Sequence, residues 1–219
     1  MESPFLRKLR EQLFHNRSYT PLPFLAVMLW QAHPTTQSLL TGVFICLLGE
    51  WTRFWGVAYA GSLTRVTTVG APEVMMAGPY AHVRNPLYIG NMLMYLGIGV
   101  MSNAMLPWLP MVAAVFFFFQ YRMIVSLEEE FLEKEFGAGF LEYKKNVPRF
   151  IPRLSRYESP AQADQHPRWL EALRSERRTL QALGLVTLIL LVLWYRGVGS
   201  SSAFALDDRR TRAAAPQRR

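Results

Sequence analysis

An all-helical protein embedded in a membrane is the fold class that this sequence predicts. Apolar residues make up 51% of the 219 residues, and they fall in blocks of about membrane-spanning length that polar joints separate. The joints at residues 33–37 and 102–103 contain no lysine or arginine, which is typical of short loops on the external side of a membrane. The sequence therefore predicts a polytopic all-α bundle of four to five transmembrane helices.

The net charge of +8 could indicate a nucleic-acid-binding domain, but the apolar blocks argue against that interpretation. Because the basic residues flank apolar blocks, we expect them to contact membrane lipids rather than nucleic acid. No feature of the sequence indicates a required protein partner. The single cysteine, Cys46, lies within an apolar block, so it cannot form an internal disulfide and is interpreted as a small buried side chain.

Residues 1–18 predict a basic amphipathic helix that lies on an anionic membrane face. Arg7, Lys8, Arg10 and Arg17 alternate there with leucine and phenylalanine. A basic start before an apolar run also resembles a secretory signal. No small-x-small cleavage site follows, so we expect this segment to be retained.

Four apolar blocks follow as predicted helices: residues 19–32, 39–60, 87–101 and 106–125. The second block is long enough to cross a bilayer, which takes about 20 residues. Glu50 and Arg53 lie one helical turn apart within it and are predicted to pair, either to lock adjacent helices or to line a substrate entrance. Residues 61–77 connect the second block to the third without a clear period.

The chain divides into five predicted segments: 1–18, a core at 19–153, a polar linker at 154–179, a hydrophobic helix at 180–196, and a basic disordered tail at 197–219. The distribution of lysine and arginine places the N-terminus, residues 61–86 and residues 126–179 in the cytoplasm. The arginine-rich tail conflicts with a fifth span at 180–196, so whether that helix crosses the membrane stays open.

Residues 78–90, with the sequence GPYAHVRNPLYIG, place Tyr80, Arg84, Tyr88 and an Asn-Pro break at the mouth of an apolar block. Charged and hydrogen-bonding groups are costly at the edge of the hydrocarbon, so they indicate a functional site there. Interfacial anchoring by the tyrosines is the alternative for each of them taken singly.

Residues 126–152 hold the second chemical stretch. On a helix, Glu128 and Glu129 continue an apolar stripe, and Glu130 and Lys134 point the other way. Carboxylates on an inward face are expensive unless a cation is near. The alternative is a solvated acidic turn near a helix N-terminus. Gly137 and Gly139 are predicted to interrupt the helix.

These two stretches, in this order and spacing, resemble the membrane methyltransferases that include isoprenylcysteine carboxyl methyltransferase and the phospholipid N-methyltransferases. The resemblance covers about residues 40–152. The positions that match the family pattern are Tyr80, Arg84, Pro86, Tyr88, Gly90, Glu128, Glu129, Leu132, Phe136, Gly137 and Tyr143. It implies an all-helical membrane fold, S-adenosylmethionine bound near the cytoplasmic face, and a lipid-like acceptor that enters from the bilayer.

Three positions depart from the family pattern. The histidine between the arginine and the proline is Asn85, which keeps a donor and an acceptor but has no imidazole. Phe140 replaces the first tyrosine after the Phe-Gly pair. Ile124 stands where the isoprenylcysteine branch has its substrate-binding arginine, and Arg122 lies on another face. The sequence therefore favours a lipid amine over a prenylcysteine carboxylate as the acceptor.

The residue types suit a sulfonium cofactor. Arg84 and Asn85 are candidate donors to its carboxylate, and Glu129 is a candidate partner of its positive end. Glu128 is predicted to orient or deprotonate an amine nucleophile. The candidate site consists of the catalytic residues Arg84 and Glu128 and the cofactor-binding residues Tyr80, Asn85, Pro86, Tyr88 and Glu129. No metal-ligand set and no glycine-rich phosphate loop is found.

Two other functions stay open. A sterol-type membrane reductase has a related arginine-histidine-proline motif but uses a nicotinamide cofactor, and the paired glutamates favour the methyltransferase. A catalytically silent membrane protein could keep the fold as a lipid-binding module, and Asn85 is the best argument for it.

Overall fold

The computed structural model describes residues 3–61 and 73–214, with side chains up to residue 197. These residues form helices and connecting turns without a β-strand, which confirms the predicted all-helical class. The six α-helices are α1 (Pro4–Asn16), α2 (Pro21–Trp30), α3 (Thr36–Ala60), α4 (Pro86–Ser102), α5 (Trp108–Asn146) and α6 (Trp169–Ala214). Two 3-10 turns lie at Gly78–Ala81 and Pro160–Gln162.

Helices α3 and α4 form the centre of the fold as a tightly packed antiparallel pair. At one end, the hydroxyl of Ser38 donates to the carbonyl oxygen of Met101 at 3.2 Å. Glycines allow the backbones to touch, since a Cβ atom at Gly49 would lie 2.7 Å from the carbonyl oxygen of Gly90. A Cβ atom at Gly97 would likewise lie 2.8 Å from a backbone oxygen of α3. Helices α3 and α4, which correspond to the second and third predicted apolar blocks, therefore pack with their backbones in contact.

Helix α5 carries the second chemical stretch in the predicted register. Glu129 and Tyr143 are buried, whereas Glu130 and Lys134 are exposed. Gly137 adopts φ +51° and ψ −125° inside the helix, so the predicted interruption occurs there. A glycine tolerates this left-handed φ without the clash that a Cβ atom would cause.

Helix α1 packs on α5, as an amphipathic helix must when it has a core to cover. Its first turn is capped by Ser3, whose Oγ accepts from the amide of Leu6 at 3.3 Å. Phe14 is buried in an apolar cluster with Tyr121. Arg10 is also buried, and its Nη2 donates to Glu130 at 2.6 Å, which offsets the cost of that burial.

Helix α6 begins at Trp169, within the residues predicted as a linker, and its described backbone stays helical to Ala214, past the predicted start of the tail. Ala172 is fully buried against Val57 and Ala58 of α3. Leu190 is fully buried in a second cluster, together with Cys46. The predicted reading of that cysteine as a small buried side chain is thus confirmed.

The predicted pair between Glu50 and Arg53 is wrong. Arg53 donates instead to both carboxylate oxygens of Glu176 in α6, with Nη2 at 2.9 Å from each, and to Oδ1 of Asn91 in α4 at 2.5 Å. Local spacing could not show this, because α6 supplies its carboxylate from 123 positions further along the chain.

Two of the described helices are long and apolar enough to cross a membrane: Trp108–Asn146 and Trp169–Gly197. Pro21–Trp30 and Pro86–Ser102 are shorter apolar helices. Helix α3 has 25 residues but is not one of the two, so the count of four to five spans stays a prediction. Most of the predicted connection at 61–77 lies outside the described residues.

Candidate functional site

The two chemical stretches of the sequence meet because the chain after α5 runs back along the segment before α4. The amide of Arg84 donates to the carbonyl oxygen of Pro148 at 2.9 Å. The amide of Arg153 donates to His82 at 3.0 Å, and the amide of Tyr157 donates to Ala81 at 2.9 Å. This strap, residues 147–157, fixes the N-terminus of α4 against the end of α5.

An ion cluster around Glu129 lies under the strap. Nε and Nη2 of Arg84 donate to Oε1 of Glu129 at 3.1 and 2.9 Å. Arg149 donates to both carboxylate oxygens, at 3.1 and 2.5 Å, and Nζ of Lys144 lies 3.8 Å away. The side chain of Glu129 is 5% exposed, so the positive charges of the two arginines offset the desolvation cost of this buried carboxylate.

Arg84 has a further anchoring function in this cluster. Its Nη1 donates to the carbonyl oxygen of Lys144 at 2.9 Å and also to the carbonyl oxygen of Val147. Nε and Nη2 therefore bind Glu129 in the interior of α5, and Nη1 binds the end of α5 and the start of the strap. In this arrangement Arg84 positions the segment before α4, and its predicted direct catalytic contact stays a prediction.

Arg149 is the functional residue that sequence reasoning missed. It lies within the stretch 126–152, but its separation of 20 residues from Glu129 is not a helical spacing. The available signal was the rule that an inward carboxylate requires a cation. That rule predicts a partner without saying which of the nearby basic residues provides it.

Glu128 has a different environment from that of Glu129. It is half-buried, and Oε1 accepts from the hydroxyl of Tyr88 at 2.7 Å. Tyr88 lies in the first turn of α4, and its ring packs on that of Tyr121 with centroids 4.6 Å apart. The site therefore combines one carboxylate neutralised by arginines with one held by a phenol.

Tyr80 is buried beside the same carboxylate. Burial raises the pKa of Tyr80, and the nearby charge of Glu128 raises this pKa further, so its hydroxyl stays protonated. The position of its backbone is fixed as well, because the hydroxyl of Tyr143 donates to the carbonyl oxygen of Tyr80 at 2.7 Å. Tyr80 thus offers a proton-bearing phenol close to Glu128.

Asn85 and Pro86 begin α4. Asn85 is at the N-cap position, but its side chain makes no capping bond and donates from Nδ2 to the carbonyl oxygen of Arg149 at 3.2 Å. Pro86 occupies the first helical turn, where its fixed φ favours helix initiation. Asn85 therefore provides another contact between the start of α4 and the strap.

The structure brings all seven predicted site residues to one region: Tyr80, Arg84, Asn85, Pro86, Tyr88, Glu128 and Glu129. The division of these residues into catalytic and cofactor-binding groups stays a prediction. In the part of the chain that the structure describes, no group of three or more histidine, cysteine, aspartate or glutamate side chains is placed to hold a metal ion.

Comparison with known proteins identifies the family of this region. The sequence model of the family described as phospholipid methyltransferase matches residues 37–139, which run from the start of α3 past Gly137 in α5. Residues 37–139, just under half of the chain, are therefore similar to the phospholipid methyltransferase family. The predicted resemblance is thereby confirmed, and the family segment contains every predicted site residue. Arg149 and the whole of α6 lie beyond it.

Curated relatives include proteins with two kinds of name. The chain is 33% identical over 132 residues to the cobalt-zinc-cadmium resistance protein CzcN of Cupriavidus metallidurans, which covers 58% of this chain and 56% of that protein. It is 29% identical over 115 residues to the protein-S-isoprenylcysteine O-methyltransferase of Schizosaccharomyces pombe, covering 51% of this chain and 48% of that protein. The same identity and length are found for protein-S-isoprenylcysteine O-methyltransferase B of Arabidopsis thaliana, of which 57% is covered.

The chain thus matches about half the length of these curated relatives. No solved structure matches it significantly. The match to the phospholipid methyltransferase family and the two long apolar helices together support a membrane location for the protein.

Proposed function

We propose that this chain is an integral-membrane methyltransferase that uses S-adenosylmethionine, with its site on the cytoplasmic face. The acceptor is a lipid-like or lipophilic small molecule, and a lipid amine is favoured over a prenylcysteine carboxylate. The observation that supports this most is the hydrogen bond of 2.7 Å between Tyr88 and Glu128. It places a half-buried carboxylate at the mouth of α4, inside the segment that matches the family.

The chemistry of the donor set fits S-adenosylmethionine. The cofactor needs an anion near its positive end, donors for its own carboxylate, and flat or apolar walls. Tyr80, Asn85, Pro86 and Tyr88 would supply the donors and walls, and their positions are fixed by the strap and by α4. When bound, the cofactor supplies a methyl group activated by the adjacent sulfonium. Glu129, already held by two arginines, would act on the positive end at longer range.

Glu128 is the residue that would act on the acceptor. A lipid amine arrives protonated at neutral pH, so its nitrogen must lose a proton before its lone pair can attack. The carboxylate of Glu128 can orient the ammonium group and receive that proton. Tyr88 fixes the carboxylate, so alignment of the nucleophile, the methyl group and the sulfur would supply most of the catalysis.

The environment of Ile124 supports a lipid amine rather than a carboxylate acceptor. This position corresponds to the arginine that binds substrate in the isoprenylcysteine branch. Ile124 is fully buried in an apolar cluster with Phe117 and Tyr121, and Arg122 is exposed. Ile124 carries no charge, and the guanidinium of Arg122 lies on the exposed surface. Neither residue therefore provides a cation that could bind an anionic acceptor in the site.

The family match argues against one of the two alternative functions but not against the other. The match to the methyltransferase family supports this proposal over a sterol-type reductase. A catalytically silent lipid-binding protein of the same fold would retain the geometry, so a binding experiment has to separate it from an enzyme.

The experiment is isothermal titration of S-adenosylhomocysteine, the demethylated product, into the full chain purified in detergent. We expect wild-type protein to bind it, and Arg84→Ala and Glu129→Gln to lose binding because both substitutions release the strap from α5. Glu11→Gln, an exposed position on α1, is the matched control and should bind normally. A folded wild-type protein that does not bind would contradict the proposal.

Transfer of tritium from S-adenosyl-[methyl-³H]methionine into vesicles of phosphatidylethanolamine then tests the acceptor class. Label should appear in the lipid with wild-type protein and not with vesicles of phosphatidylglycerol, which have no amine. Binding of S-adenosylhomocysteine without transfer to any membrane lipid would contradict a lipid amine acceptor.

A further inference from the structure

A buried ion pair joins α3 to α6, and α6 lies outside the segment that matches the family. The side chain of Glu176 is fully buried and that of Arg53 is 13% exposed. Nη2 of Arg53 lies 2.9 Å from each oxygen of Glu176, and Nε lies 3.3 Å from Oε2. Such pairs contribute little net stability, because desolvation offsets their attraction. We therefore ask which residues the ion pair between Arg53 and Glu176 holds in position.

Arg53 extends from this pair towards the site. Its Nη1 donates to Oδ1 of Asn91 at 2.5 Å. Asn91 lies one helical turn beyond Tyr88 in α4. The ring of Tyr121 packs on Tyr88 with centroids 4.6 Å apart. Contacts therefore lead from α6 through Arg53 of α3 to α4, one helical turn from the phenol that holds Glu128.

We propose that Glu176 is a positioning residue for Glu128. It holds Arg53 in the orientation that fixes Asn91, and Asn91 in turn fixes the turn of α4 that carries Tyr88. The inference rests on the proposed function, in which Glu128 orients the acceptor. It assigns a function to α6, which is absent from the family match.

Other contacts hold α6 on the core when this pair is replaced. The amide of Arg168 donates to the carbonyl oxygen of Ala58 at 2.7 Å. Trp169 stacks on Phe54 with ring centroids 5.5 Å apart, and Ala172 is fully buried. Replacement of the ion pair by apolar residues of similar volume is therefore expected to leave α6 docked.

The decisive variant is the double substitution Arg53→Met with Glu176→Met, in the full chain. We expect its melting temperature and its binding of S-adenosylhomocysteine to match those of wild type. The kcat for tritium transfer to phosphatidylethanolamine vesicles should fall between about tenfold and about 100-fold, since a misplacement of about 1 Å can cost about 100-fold in rate. Arg7→Gln with Glu11→Gln, which removes an exposed pair on α1, is the control and should keep the wild-type kcat.

Hydrogen–deuterium exchange provides a readout that does not depend on turnover. In the apolar double variant, α4 should exchange faster than in wild type, whereas residues 180–195 of α6 should exchange as before. An unchanged kcat, or unchanged exchange in α4, would overturn the inference. A parallel loss of melting temperature, cofactor-product binding and kcat would also overturn it, because that result indicates a purely structural pair.

These measurements separate the inference from the proposed function. If the wild-type chain fails to bind S-adenosylhomocysteine, the proposed methyltransferase fails. Exchange in α4 still decides then whether Glu176 positions the contacts that end at Glu128.

Discussion

Glu128 and Glu129 are adjacent in the sequence, but their environments differ. Glu129 is 5% exposed and accepts from two arginines, so its charge is compensated and its geometry is fixed. Glu128 is half-buried and is held by the hydroxyl of Tyr88. Neighbouring side chains on a helix point about 100° apart, which is enough to place one in the ion cluster and the other towards the acceptor.

At the residue scale, we expect Glu128→Gln to bind S-adenosylhomocysteine as wild type does while its kcat falls about 100-fold or more, the usual contribution of a general base. The amide keeps the shape and the bond to Tyr88 but cannot receive a proton. Tritium transfer to phosphatidylethanolamine and titration of the product measure the two effects.

Tyr88→Phe is the companion variant for the same site. Its kcat should fall less than that of Glu128→Gln, because the carboxylate remains and only one hydrogen bond to a charged group is lost. Such a bond contributes about 1.5–3 kcal/mol. A Glu128→Gln protein with wild-type kcat would show that Glu128 has no part in the reaction.

At the element scale, the contact between α3 and α4 depends on glycines spaced seven residues apart. Gly42, Gly49 and Gly56 lie along one face of α3, and Gly90 and Gly97 lie along the facing side of α4. Small residues at helical repeats let membrane helices approach closely. The seven-residue spacing of these glycines is present in the sequence and predicts the packing of α3 on α4, whereas the two motifs do not.

Gly97→Ala should lower the melting temperature, because the added Cβ atom would lie 2.8 Å from the carbonyl oxygen of Gly42. Overpacking of this kind costs about 1–3 kcal/mol. Gly139→Ala is the matched control, since a Cβ atom there meets nothing within 4 Å. The control should be neutral or more stable by up to about 1 kcal/mol, the usual gain of alanine over glycine in a helix.

Thermal unfolding in detergent, followed by circular dichroism, compares the two variants directly. Equal melting temperatures for Gly97→Ala and Gly139→Ala would contradict the close backbone contact between α3 and α4.

At the scale of the whole molecule, the strap and the ion cluster lie in a region whose basic residues predict the side of the membrane on which the site lies. The basic residues of 126–179 predict that this region lies in the cytoplasm, on the side of the membrane opposite the joint at 33–37. In a Cys46→Ser background, we expect Ala163→Cys to react with an impermeant maleimide in inside-out vesicles only. Gln37→Cys, which is also exposed, should react in right-side-out vesicles. Labelling of both positions from the same side would contradict this topology.

The sequence by itself determined the all-helical class, the two motifs and the register of α5. It could do so because helical periodicity and the spacing of residues within a motif are local properties of the chain. It also determined the family, since the motif residues keep their spacing.

Only the tertiary structure decided which charges pair. Arg149 reaches Glu129 because the strap folds back, and Glu176 reaches Arg53 because α6 packs on α3. Glu50, one turn from Arg53, was the expected partner and is not bound to it. An ion pair forms where desolvation and geometry are best satisfied in three dimensions, and a distant helix can satisfy both better than a sequence neighbour.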